Sequence, residues 1–256
     1  RPRLPAVRRI HLLDRERAML CLTEYPMHEW GKLFFICRAE PIIAFQDLMS
    51  DVNASIALMP LDKFEFVPNK DQLRELDGNW KLHAGNYMDA LHIKLIHKAP
   101  GGLYDAVEMD SYETEIYRFS TLQWVFAKNP DHGFDPAVLP PRFHHPRKRV
   151  FALWWFIFPN LTLNFYPWGL SINIYEPHPE NSRRVNFRWL HCGMDREKYR
   201  QRNKIWLRNQ VDAEDTTAIR LLNANLRPGS RPKQVGLFGP SEIGPRWFRN
   251  CVVETM

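Results

Sequence analysis

The residues best suited to chemistry lie in one short stretch, Asn86-Tyr87-Met88-Asp89-Ala90-Leu91-His92-Ile93-Lys94-Leu95-Ile96-His97. Two imidazoles and one carboxylate on one side of a metal leave the opposite positions open, an arrangement that suits non-haem Fe(II) and O2. Asn86, Asp89 and His92 are spaced by three, so on a helix they share a face. His97 comes five residues after His92, and at about 100° per residue it falls about 140° away. Both histidines can reach one metal only if the helix unwinds or bulges between them, and such distortions are often functional. Without a third ligand, two histidines at this spacing are more simply read as chance surface residues.

Asp215, in Ala213-Glu214-Asp215, is the candidate third ligand. Ile219 and Leu222 follow at i+4 and i+7, so its carboxylate shares the apolar, inward stripe of a C-terminal helix. An inward carboxylate calls for a cation partner, because burying it unpaired is costly. A helix-start cap is the other reading, since Asp212 and Asp215 could both sit near the start of that helix. Spacing alone leaves both readings open.

The elements that must position these groups are legible in outline. Residues 16–46 read as short strands, Ala18–Leu22 and Lys32–Arg38, separated by Trp30-Gly31. Asp77-Gly78 is a turn signal and a plausible boundary. Asn79–Ile96 reads as one helix, and Ser111–Phe126 as strands. Phe151–Asn164 and Leu170–Glu176 are rich in aromatic and β-branched residues, with Pro167-Trp168-Gly169 turning a hairpin between them. Arg184–Leu190 sets Val185, Phe187 and Trp189 against Arg184, Asn186 and Arg188, the alternation of a half-buried strand. Arg196–Leu226 is mostly helical and ends before Pro228-Gly229. A curved antiparallel sheet wrapped on a long C-terminal helix encloses a cavity, so the expected class is α+β with an internal pocket.

Composition narrows the function classes. The chain has 256 residues, 45% of them hydrophobic, enough for one large domain or one domain and part of another. Nine Trp and sixteen Phe predict a core or pocket lined with rings. The net charge of +6 gathers at Arg1–Arg9, Pro141–Arg149 and Arg196–Arg208. No nucleic-acid motif accompanies these clusters, so a solvated basic surface, or a patch for an acidic redox partner, is expected instead. Cys21, Cys37, Cys192 and Cys251 lack the spacing of a zinc site or a disulfide framework, which fits a reducing, cytoplasmic setting. The longest apolar run, Val150–Phe158, is too short to span a bilayer.

The motifs together resemble a known family. Asn79-Trp80-Lys81, Asn86, Asp89-Ala90-Leu91-His92 and His97 are similar to the iron-site signature of Rieske non-haem iron oxygenase α subunits. Ile157-Phe158-Pro159-Asn160-Leu161 and Asn164–Leu170 resemble its choline-monooxygenase-like and ring-hydroxylating branches. Glu214-Asp215 matches the acidic pair before the closing helix. The match spans roughly residues 75–250, in order. The resemblance implies a helix-grip (Bet v1/START-like) catalytic domain over residues 51–256, with 1–50 a remnant of a β-rich Rieske domain and linker. It implies that His92, His97 and Asp215 bind mononuclear Fe(II). Asp89 would be the bridging acid between His92 and a cluster-ligating histidine of a neighbouring subunit, and Asn86 would tune the iron surroundings. A trimer, a reductase or ferredoxin donor, O2 and a small aromatic or quaternary ammonium substrate are implied in the same way.

The sequence departs from that family in two respects. The Cys-x-His and Cys-x-x-His units that bind a Rieske [2Fe–2S] cluster are absent from these residues. N-terminal truncation is the expected reason, given the start at Arg1, with natural loss of the cluster as the alternative. Gly85 replaces a common Glu beside Asn86, and Ile93–Ile96 lacks a common aromatic, which leaves the substrate class open. Pocket candidates are Trp154, Phe156, Asn164, Tyr166 and Trp168, with Trp155 and Asn173 beside them. They could box a quaternary ammonium by cation–π attraction, stack on a ring, or simply fill the core. A START-like binding module with a vestigial site, or zinc hydrolysis on the same ligands, are the competing functions.

Overall fold

The computed structural model describes residues 24–67, 71–193, 196–205, 208–226 and 239–254. The expected strand Ala18–Leu22 lies outside these residues. The chain divides into two compact units, residues 1–45 and 46–256.

In the first unit, strands β1 (Met27–Trp30) and β2 (Leu33–Ile36) pair antiparallel with Trp30 opposite Leu33. Trp30 therefore belongs to a strand rather than to the separator expected from the sequence. Gly31 takes φ 59° in the two-residue turn, a left-handed conformation that glycine adopts without steric cost. His28 stacks on Phe45 at 4.9 Å.

The second unit is built on an antiparallel sheet. Helix α1 (Phe45–Ser55) buries Met49, Val52 and Ser55, the spacing of one helical face. Strands β3 (Glu65–Phe66) and β4 (Gln72–Asp77) both pair with the last strand, β10 (Arg184–Gly193). From β10 the sheet runs through β9 (Gly169–Pro177), β8 (Leu161–Tyr166), β7 (Val150–Ile157) and β6 (Ser120–Phe126) to β5 (Glu113–Ile116). All eight residues of β7 are buried, so both faces of the sheet centre are covered. On one face Leu122, Trp155, Leu163 and Ile172 lie side by side across four strands. That face meets α1, whose Ser55 Oγ accepts from Trp155 Nε1 at 3.0 Å. The other face, through Trp154, Asn164 and Ser171, looks into the cavity described below.

Helices α2 (Trp80–Met88), α3 (Leu91–Leu95), α4 (Leu103–Ala106), α5 (Arg196–Ile205), α6 (Arg208–Asn225) and α7 (Ile243–Glu254) complete the unit. Phe156 on the cavity-side face packs against Phe248 and Trp247 of α7 at 5.5 and 6.3 Å. The run Phe151–Asn164 is two strands rather than one, because Phe158-Pro159-Asn160 turns the chain and proline cannot donate to the ladder. Asp77-Gly78 is a turn inside the second unit rather than a boundary between units. No helix among the described residues is long and apolar enough to cross a membrane.

Candidate metal centre

The single helix expected over Asn79–Ile96 is broken at Asp89, where φ is −88° and ψ 114°. Asn79 starts α2 by accepting from Lys81 N at 3.0 Å. Asp89 ends it, and its carboxylate then accepts from the backbone N–H groups of Leu91 at 2.8 Å and His92 at 3.1 Å. An aspartate that satisfies these donors competes with the helical ladder and opens a new helix start. Asn86, Asp89 and His92 therefore do not share one helix face. The helix stops again before His97, with Ile96 N bonded to His92 O at 2.7 Å. Termination, not a bulge, turns the two imidazoles toward one point. The break is also testable. Asp89→Ala should cost about 1 kcal/mol in a denaturant titration, and Asp89→Asn should recover part of it by keeping one acceptor.

His92, His97 and Asp215 each offer a ligand atom, all within 4.8 Å of one another. Asp215 Oδ1 lies 3.5 Å from His92 Nε2 and 3.2 Å from His97 Nε2. Three donors at about 2.1 Å from a metal, mutually at right angles, would be about 3.0 Å apart, close to this spacing. His97 Nε2 is buried and makes no well-aligned hydrogen bond; the charged atom facing it is Asp215 Oδ1 at 3.2 Å, a second donor for a shared metal. The opposite ring nitrogens are anchored. His92 Nδ1 is bonded to the backbone carbonyl of Asp89, and His97 Nδ1 to Glu214 Oε2 at 2.7 Å. Asn86 Nδ2 donates to Asp215 Oδ1 at 2.8 Å. The donor set fits a facial two-histidine, one-carboxylate site.

The two imidazoles differ in their electrostatics. Burial pulls the His92 pKa below its ordinary value, beyond what Asp215 restores, favouring the neutral imidazole that metals require. For His97 burial acts downward too, but the Asp215 and Glu214 carboxylates outweigh it and raise the pKa. Burial pushes Asp215 up, yet His97, His92 and the Asn86 amide together hold it below the usual carboxylate range. Asp215 sits two turns inside α6 and does not cap it. Ile219 is buried as expected, whereas Leu222 is exposed, so the inward stripe is narrower than the sequence suggested. The Asp89 carboxylate lies 3.7 Å from His92 Nδ1 and bonds backbone donors, so the expected carboxylate–imidazole hydrogen bond is made by the Asp89 carbonyl instead.

A cavity of about 860 Å³, counting its open mouth, adjoins His92, His97 and Asp215. Trp154, Asn164, Tyr166 and Asn173 line it; Phe156, Trp155 and Trp168 do not. Phe156 is covered by α7, Trp155 points to α1, and Trp168 stacks behind Tyr166 at 4.9 Å. Tyr87, Tyr112, Tyr175 and Phe187 also line the wall. Tyr87 donates to Asn164 Oδ1 at 2.6 Å, and its place beside Asn86 on α2 is the only sequence signal for it. Tyr112 stacks on Trp154 at 6.1 Å, a pairing nothing in the local sequence announces.

A family model described as the ring hydroxylating alpha subunit (catalytic domain) matches residues 63–256. The chain belongs to that family. The carnitine monooxygenase oxygenase subunit of Acinetobacter baumannii is 36% identical over 191 residues, covering 70% of this chain and 48% of that protein. The chain thus spans about half the length of the curated relative. The fold of a quaternary ammonium Rieske monooxygenase matches with a TM-score of 0.69 at 18% identity, over 90% of this chain and 61% of that one. Naphthalene 1,2-dioxygenase from Rhodococcus sp. matches with a TM-score of 0.56 at 14% identity, over 78% and 53%. The mixed helix and antiparallel-sheet architecture is that of Rieske oxygenase catalytic domains.

Proposed function

We propose that residues 51–256 form the helix-grip, oxygen-activating domain of a terminal oxygenase, with mononuclear Fe(II) held by His92, His97 and Asp215. The observation that carries this reading is the convergence of His92, His97 and Asp215, whose three ligand atoms lie within 4.8 Å of one another. Bound there, iron supplies reductive activation of O2 for hydroxylation, which at an N-methyl group ends in formaldehyde and the demethylated amine. The chain's own residues orient the ligands, shape the cavity and limit water. Asn86 holds Asp215 Oδ1 beside both imidazoles. Trp154 and Tyr166, at 6.5 Å and 74°, give the cavity two aromatic walls joined by a 3.0 Å bond from Trp154 Nε1 to the Tyr166 hydroxyl.

These walls, and the name of the 36% identical relative, favour a quaternary ammonium over an aromatic substrate. In the same reading residues 1–50 are the end of a Rieske-type β domain, and a reductase or ferredoxin reduces a [2Fe–2S] cluster. Asp89, whose carbonyl bonds His92 Nδ1 and whose side chain is 22% exposed, then links His92 to the cluster of a neighbouring subunit in a trimer. A cytoplasmic setting suits a protein with thiols at Cys37 and Cys251. A vestigial binding module is the weaker reading, since all three ligand side chains still converge.

The test is turnover of the iron-loaded protein supplied with a Rieske electron donor. Trimethylammonium compounds should drive O2 uptake with formaldehyde release. Oxidation confined to aromatic hydrocarbons would refute the substrate class, and no coupled O2 uptake with either would refute the oxygenase.

A further inference from the structure

We propose that Glu214 is a positioning residue for the metal, acting through His97; this rests on the reading of His92, His97 and Asp215 as ligands. The two imidazoles are anchored unequally. His92 Nδ1 meets a neutral backbone carbonyl, whereas His97 Nδ1 meets the Glu214 carboxylate at 2.7 Å. The second Glu214 oxygen, Oε1, accepts from Gln210 Nε2 at 3.2 Å, one helical turn earlier on α6. Glu214 is thus held at both oxygens, and its neighbour Asp215 is itself a ligand. One turn of α6 therefore supplies a ligand and the orienting acid of a different ligand.

A carboxylate on Nδ1–H fixes the tautomer, leaves the Nε2 lone pair for the metal and makes the ring a stronger donor. His97 is almost wholly buried, with its side chain 1% exposed, and Glu214 is the carboxylate that meets its Nδ1. His97 is then the stronger of the two nitrogen donors, and its strength is set from α6 rather than from its own segment. The charge matters as well as the hydrogen bond, because the carboxylate offsets part of the positive charge that the metal brings into a buried site.

The experiment measures Fe(II) affinity by chelator competition without oxygen, and the visible d–d spectrum of the Co(II)-substituted protein. Wild type, Glu214→Gln, Glu214→Ala and His97→Ala are compared, with melting of each metal-free protein as the folding control. Glu214→Gln, which keeps an acceptor for His97 Nδ1, should weaken binding by about 10- to 100-fold and shift the Co(II) bands, with metal-free melting near wild type. Glu214→Ala should weaken binding likewise and melt earlier, because it strands a buried ring nitrogen. Wild-type affinity and spectrum in either Glu214 variant would overturn the proposal while leaving the ligand set intact. A wild type that binds neither metal would overturn the ligand set itself. If the metal-free Glu214 variants melt early, the Co(II) spectrum of the folded fraction decides, and unshifted bands count against the proposal.

Discussion

Asp215→Ala is expected to leave a folded protein without stoichiometric iron. Asp215 Oδ1 lies 3.5 and 3.2 Å from the two imidazole Nε2 atoms, and Asp215 is the one carboxylate in the proposed ligand set. Removing it leaves two neutral nitrogens, too few donors of the wrong charge to hold Fe(II). The loss should exceed the roughly 10- to 100-fold that deletion of an outer hydrogen-bond partner costs. Elemental analysis after anaerobic loading and desalting checks it. Circular dichroism of the same sample should match wild type, because Asp215 is not part of the apolar core that holds the sheet and helices together. Iron retained at wild-type stoichiometry would remove Asp215 from the site.

Gly78→Ala should be strongly destabilising although it removes no group from the site. Gly78 takes φ 107°, a conformation strained for any side chain. An added Cβ would lie 2.5 Å from Ile219 Cγ2 and 3.1 Å from His83 Nε2. Ile219 is one turn beyond Asp215 on α6, and His83 is on α2 with its Nε2 2.9 Å from Asp77 O. The methyl group therefore wedges the two helices that carry Asn86 and Asp215 away from the strand end. Backbone strain and overpacking together should cost about 2–4 kcal/mol, read from the denaturant midpoint. Iron affinity should fall with it. A midpoint within about 0.5 kcal/mol of wild type would contradict this packing account.

The sequence carried more of the site than of its framework. The His92 and His97 spacing demanded that the helix unwind or bulge between them, and the helix ends between them, after Leu95. The break at Asp89 was not legible, because Tyr87 and Met88 give no stop signal and the competing carboxylate bonds form only once the turn exists. Phe156 has the right alternation to face the cavity, but α7 lies more than 80 residues later and covers it. Trp168 reads as a pocket ring only if its stacking on Tyr166 is ignored. The partner of His97 in Glu214 is 117 residues away along the chain, beyond any local pattern. What periodicity could specify was which residues face inward; which helix lands on them depends on tertiary packing.

The central claim is that His92, His97 and Asp215 hold iron, and anaerobic Fe(II) loading followed by elemental analysis tests it most directly. Near-stoichiometric iron is expected in the wild-type protein, lost in His92→Ala, His97→Ala and Asp215→Ala alike. A folded wild-type protein that emerges free of iron would contradict it.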